Sequence, residues 1–242
     1  MPLNPTLKRI LAYCAAVAFF ALFFWAGSWQ LDRARVKDRL LADFAAAATA
    51  SASPISWQQA SASVAARGYV PTQLQGAFLA DRNILLDNQI VDGTVGVQVY
   101  TPWLLNKDQA VLIARGFLPV AKDRRVLPNP ATDTAPGILR GIMSKPPAAG
   151  LQLGAKPVDR GFPLLRTAID SKELEAALGV RLLPFVVLMN ADQPGGFDRR
   201  WAPVTMPPER HRGYALQWFS LAAAVLITTI LLTWRARRAR RA

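Results

Sequence analysis

The stretch ILAYCAAVAFFALFFWAGSWQL, Ile10–Leu31, runs 22 residues without a charge between Arg9 and Asp32. A second stretch, GYALQWFSLAAAVLITTILLTW, Gly213–Trp234, is again 22 residues long and lies between Arg212 and Arg235. At a rise of ~1.5 Å per residue each makes a helix about 33 Å long, enough to cross the hydrocarbon core of a bilayer. Backbone polar groups must be satisfied internally in lipid, so the two ends predict a pair of transmembrane helices. Everything from Asp32 to Arg212 is then one domain on one side of a membrane, long enough to bury a core of its own.

The net charge of +13 divides unevenly. Lys8, Arg9, Arg235, Arg237, Arg238, Arg240 and Arg241 give the tails +7, and the residues from Asp32 to Arg212 carry the other +6. More than half of the excess therefore adjoins the spans, where basic residues stay on the cytoplasmic face and meet anionic lipid. Membrane lipids are the expected partners of this charge, and nucleic acid is not. Arg33, Arg35, Lys37 and Arg39, with Arg199, Arg200, Arg210 and Arg212, nearly balance the count on the loop side. Long loops translocate largely regardless of charge, so the reading keeps both termini inside and the domain outside. The first span is too long for a usual signal core and runs on into Trp29-Gln30-Leu31-Asp32-Arg33, which favours an uncleaved anchor. Twenty-two Arg against 7 Lys, with abundant Ala, suggests a bacterial chain and hence the inner membrane.

The expected divisions are a cytoplasmic tail, 1–9; a first span, 10–31; a helical extension and Ala/Ser-rich linker, 32–67; a β-rich periplasmic domain, 68–206; a loop end and second span, 207–234; and a basic tail, 235–242. The tract from Ala45 to about Ala66, interrupted by Pro54 and Trp57, promises little core. Strands are expected at Tyr69–Leu79, Arg82–Gln89, Val95–Leu105, Ala110–Leu118, Gly137–Met143 and Leu182–Asn190. Short polar turns at Asp81, Asp92-Gly93 and Asn106–Gln109 point to an antiparallel meander, closing into a barrel or a sandwich. One soluble helix is framed by Asp170 as cap, Glu173 three residues on, an apolar face of Leu174, Ala177 and Leu178, and Gly179 at its end. The stretches 128–136 and Pro146-Pro147 read as loop. The fold class is thus a membrane α+β protein, two transmembrane helices flanking an antiparallel β-rich extracytoplasmic domain with one or two helices.

Several blocks carry a resemblance that spans nearly the whole chain. They are Gly27-Ser28-Trp29-Gln30 with Arg33 and Lys37; Leu86-Asp87-Asn88-Gln89 with Asp92-Gly93; Arg115-Gly116-Phe117-Leu118-Pro119; and Pro207-Pro208-Glu209-Arg210-His211-Arg212-Gly213-Tyr214-Ala215-Leu216-Gln217-Trp218-Phe219. Together they resemble the Surfeit locus protein one family, assembly factors for haem-copper (aa3-type) cytochrome c oxidase. The last block is the most specific; Phe117 departs from it, since the family more often has tryptophan there. The resemblance implies a periplasmic or intermembrane-space domain on two spans, transient binding of haem a, and help in placing that haem into oxidase subunit one. It implies haem a synthase as a further partner, and His211, the only histidine, as the axial ligand of the haem iron.

The residues are compatible with that implication. A helix beginning near Pro208 puts His211 in its first turn, where free amides and the positive dipole end favour the neutral ring that binds iron. Arg210 and Arg212 flank it and suit two propionates. Tyr214, Ala215 and Trp218 follow at three, four and seven residues, on the same helix face. Trp25, Trp29 and Arg33 share a face of the first span, so a flat macrocycle fits between the two helix ends. The plainer reading is that these Trp and Tyr are interfacial belt residues and the arginines snorkel. Cys14 lies inside the first span, at the opposite end from His211, which excludes a Cys–His site; the lack of Cys pairs argues against Cu(I) carriage. The Asp92-Gly93 pair is read as a turn, and Arg115-Gly116 as a strand end with a positive backbone angle. No motif marks an enzyme. The alternative is a membrane scaffold that stabilises a partly assembled oxidase subunit without binding haem.

Overall fold

The computed structural model describes residues 4–52, 57–121, 126–147, 161–201, 203, 206–239 and 241. Pro54 of the expected linker and Arg240 of the basic tail lie outside these. The chain forms two compact units, one of Met1–Ala42 with Pro203–Ala242, the other of Asp43–Ala202.

The first unit holds the two apolar segments. Helix α1 is Pro5–Thr49 and the last helix of the chain, α4, is Pro208–Arg238; both are long and apolar enough to cross a membrane. Their contacts run antiparallel. Tyr13 Oη lies 3.0 Å from Thr233 Oγ1, the Phe23 and Trp218 rings are 5.7 Å apart, and Phe24 meets Phe219 edge-on at 5.5 Å. At Gly27 a Cβ would stand 2.7 Å from the Phe219 ring, so glycine is what lets the helices approach. The buried residues of α4, namely Pro208, His211, Ala215 and Ala222, recur at helical spacing and form one seam. Large apolar side chains elsewhere on both helices are exposed, as lipid-facing surfaces must be.

The second unit is built on seven strands: β1 Tyr69–Phe78, β2 Ile84–Val91, β3 Thr94–Asn106, β4 Gln109–Pro119, β5 Gly137–Ser144, β6 Leu164–Arg166 and β7 Arg181–Met189. Their order is β1-β5-β7-β4-β3-β2-β6, and a two-residue pairing of Ala77 and Phe78 with Leu104 and Trp103 brings β3 back to β1. Five strands thereby close into a ring, which removes their edges. The β2–β3–β4 meander forms as the turns demand. Asp92 and Gly93 both have positive φ (49° and 75°), the conformation of a two-residue hairpin whose twist matches its strands. The β1–β2 pair of the expected meander is absent from the described pairings. The sheet is mixed, with β4–β7 and β2–β6 parallel. The parallel step into β7 is reached through α3, Ser171–Leu178, whose first amides are capped by the Asp170 carboxylate and which ends on Gly179 at φ 72°.

Strand β4 lies at the middle of the core. Val111 and Ile113 enter one apolar cluster, and Ala110, Leu112 and Ala114 enter another on the opposite face. The same alternation drives Arg115 inward, where it is only 2 % exposed. Its guanidinium donates to Gly195 O (2.9 Å), Ala131 O (3.0 Å) and Thr132 Oγ1 (3.0 Å), and sits 4.9 Å from the Phe197 ring and 5.4 Å from Phe78. Burial pulls its pKa below the usual arginine value. Beside it, buried Asn83 accepts from Thr101 (2.7 Å) and donates to Asn129 Oδ1 and Pro130 O. These two side chains tie the Pro-rich loop to the sheet. Gly116, at φ 123°, adjoins the bulge where β3 and β4 shift register; a Cβ there would stand 2.7 Å from Asp198 O. The positive angle expected at Arg115-Gly116 is present, within the strand rather than at its end.

One expectation is corrected. Trp57–Arg67 is not linker but a helix, α2, and its Ala60 and Val64 are fully buried against β1, β5 and β7 residues of the first cluster. Small side chains suit it because they bring its backbone close to the sheet. The short β6 carried no pattern long enough to mark it. Arg115→Lys should cost about 2–3 kcal/mol of stability in denaturant unfolding, because a lysine cannot reproduce the fork and leaves buried acceptors unmatched. Unchanged stability would mean that the hub does not hold the loop.

Candidate functional site

The most distinctive polar contact of the helix pair is at the head of the α4 seam. His211 is 9 % exposed, and its Nδ1 lies 2.8 Å from Oε1 of Gln30 on α1. With Oε1 as the acceptor the ring donates from Nδ1, and in the neutral form of the ring the lone pair then lies on Nε2. The α4 sequence explains the position: Pro207 and Pro208 set the start of the helix, and His211 is its fourth residue, four before the buried Ala215. Gln30 is the last polar residue of an otherwise apolar run and points into the same seam. A second imidazole nitrogen held by a hydrogen bond is how proteins orient a metal-ligating histidine. Donor chemistry therefore fits a haem iron at Nε2.

The flanking residues divide. Arg212 donates to Asp38 Oδ2 at 2.7 Å, with Glu209 Oε1 at 3.5 Å, a half-exposed ion pair that reaches across to the facing helix. Arg210 is exposed one residue before the histidine. Trp218 is half-buried against Phe23, and Tyr214 is exposed. Trp29 stacks under Arg33, whose guanidinium carbon is 5.5 Å from the ring, and Trp25 is largely exposed. Among the described residues no hydrogen bond joins Trp25 or Trp29 to His211; Gln30 makes that bond. Gln30 stood in a block already singled out in the sequence, and its signal was an amide inside an apolar helix, where a polar group needs a partner. No group of three or more His, Cys, Asp or Glu that could hold a metal ion occurs among the described residues.

Two terminal apolar helices that flank a mixed β domain in sequence, with one histidine held in the helix seam, are consistent with a membrane protein. The chain belongs to the SURF1 family, whose profile it matches over residues 17–223. It is 23 % identical to a SURF1-like protein of Rickettsia felis over 88 % of this chain and 92 % of that one. A SURF1-like protein of Monosiga brevicollis is 25 % identical, covering 91 % and 87 % of the two chains. An uncharacterised SURF1-like protein of Mycobacterium bovis is 27 % identical over 69 % and 60 %. Membership is consistent with a role in cytochrome oxidase assembly.

Because the chain has one histidine, ¹⁵N-histidine labelling gives a single imidazole. The apo protein in detergent should show a protonated Nδ1 and a lone-pair Nε2, and Gln30→Leu should mix in the other tautomer. A wild-type ring protonated on Nε2 alone would contradict the contact.

Proposed function

We propose that this chain is a non-enzymatic assembly factor for an aa3-type cytochrome c oxidase, holding haem a through His211 before the haem enters subunit one. The observation that carries the reading is the Gln30–His211 bond, which presents Nε2 as the basic nitrogen of a ring fixed between two helices. A haem there would supply a macrocycle whose iron accepts that nitrogen and whose propionates are anionic. This chain's residues would do the rest. Gln30 orients the imidazole, Arg210 meets a propionate, and Trp218 and Tyr214 line the same end of α4. Arg212 keeps its place with Asp38, holding the helices at the spacing the ring needs. Trp25 and Trp29 contribute as apolar surface on α1.

The chain is proposed to lie in a bacterial inner membrane, with both basic tails cytoplasmic and the β domain periplasmic. The charge of the tails and the antiparallel run of α1 against α4 support this orientation. Oxidase subunit one is the proposed client, and haem a synthase the proposed donor. A scaffold that grips a partly built subunit without haem is the second reading, favoured by the near-complete burial of His211.

Purified from cells that make haem a, the detergent-solubilised wild type should carry the haem with a histidine-ligated optical spectrum, and His211→Ala should lower occupancy at least tenfold. Equal haem content in the variant removes His211 as ligand. Haem-free wild type that still retains subunit one favours the scaffold.

A further inference from the structure

The opposite end of the helix pair holds a cavity of about 360 Å³ between the first turns of α1 and the last turns of α4. Arg9 reaches it from one helix and Arg237 from the other; Ala12 and Ala16 open its α1 wall, and Leu232 lines the α4 wall. Tyr13 Oη and Thr233 Oγ1, hydrogen-bonded at 3.0 Å, also line it.

Arg9 and Arg237 line one cavity from different helices, and neither helix carries a carboxylate near them. The sequence has no Asp or Glu before Asp32 or after Glu209. Asp32 is 23 residues from Arg9, about 35 Å along a helix at ~1.5 Å per residue. An anion that pairs with both arginines would therefore come from outside the helix pair. The cavity's other properties say which kind. It begins where the uncharged runs end, at the level of lipid headgroups, and its deeper wall is Ala12, Ala16, Leu232 and Thr229, whose hydroxyl is already donated to Val225 O, so it suits a hydrocarbon chain. Arginine recognises phosphate oxygens with a paired fork, and basic clefts between membrane helices are known receptors for anionic headgroups.

We infer that this cleft binds one anionic phospholipid, its phosphodiester between Arg9 and Arg237 and an acyl chain laid along Ala12, Ala16 and Leu232. The bound lipid pairs with both arginines and joins the two tails of the hairpin. Scattered arginines at a membrane face attract lipid generally; here two of them converge from different helices on one shaped cavity.

The test uses the full-length protein in mild non-ionic detergent, with native mass spectrometry and thermal unfolding. Dioleoylphosphatidylglycerol should bind with one retained molecule and raise the unfolding midpoint, while dioleoylphosphatidylcholine and inorganic phosphate should do neither. Arg9→Gln with Arg237→Gln should weaken retention at least tenfold, and Ala12→Trp, which fills the groove and keeps both charges, should do the same. Arg238→Gln with Arg241→Gln removes equal charge outside the cavity and should leave retention unchanged. Equal retention of the two lipids, equal loss in the Arg238/Arg241 variant, or phosphate acting as well as the lipid would each overturn the assignment. The single substitution Ala12→Trp and the headgroup comparison on wild type keep the result readable if the double arginine variant does not fold.

Discussion

The first unit depends on the close approach of α1 and α4. Gly27 has no side chain, so the Phe219 ring lies against its backbone, and the seam of Ala215 and Ala222 continues that approach along α4. Lipid gives paired helices no hydrophobic drive toward one another, so packing of small against large residues and a few polar bonds must hold them. Gln30 with His211 and Asp38 with Arg212 are those bonds at one end, and Tyr13 with Thr233 is the one at the other. The amide–imidazole bond is part-buried, and low exposure strengthens such a bond relative to one in open water.

The two units are stabilised by different physics. In the β domain the dominant contribution is apolar burial on both faces of β4, and the exceptional element is a cation inside it. Carbonyls, a hydroxyl and two aromatic faces surround Arg115, an arrangement that holds a positive charge at low exposure while fixing a loop that has little structure of its own. Outside the core, Arg200 bridges Asp198 and Asp92, linking the hairpin turn to the strand-like segment that pairs at Phe117. Arg200 holds the Asp198 carboxyl below the usual carboxylate range.

Much of this was legible in the residues because the signals were local. Uncharged runs of bilayer length marked both long helices, Asp92-Gly93 fixed a hairpin, and Asp170 with Gly179 framed α3. What the pattern hid was set by distant partners. Trp57–Arg67 looks like linker because alanine and serine promise no core, yet a sheet surface that needs close contact makes Ala60 and Val64 core residues. The parallel β4–β7 and β2–β6 pairings follow from chain crossings that no short turn announces. At the site, His211 was visible as the lone histidine at a span's head. Gln30 was not, because its significance lies in a residue 181 positions away. Arg212 was visible beside the histidine, but its ion pair with Asp38 on the facing helix was not.

Everything proposed for His211 requires that α1 and α4 lie side by side as they do here. Cysteines at Gly27 and Phe219, in a Cys14→Ser background and treated with a short bis-methanethiosulfonate reagent in native membranes, read that contact directly. The account expects an efficient cross-link within one chain, and none when the second cysteine is moved to Leu221, which is exposed on α4. Cross-linking only between chains, or equal yield at both positions, would contradict it.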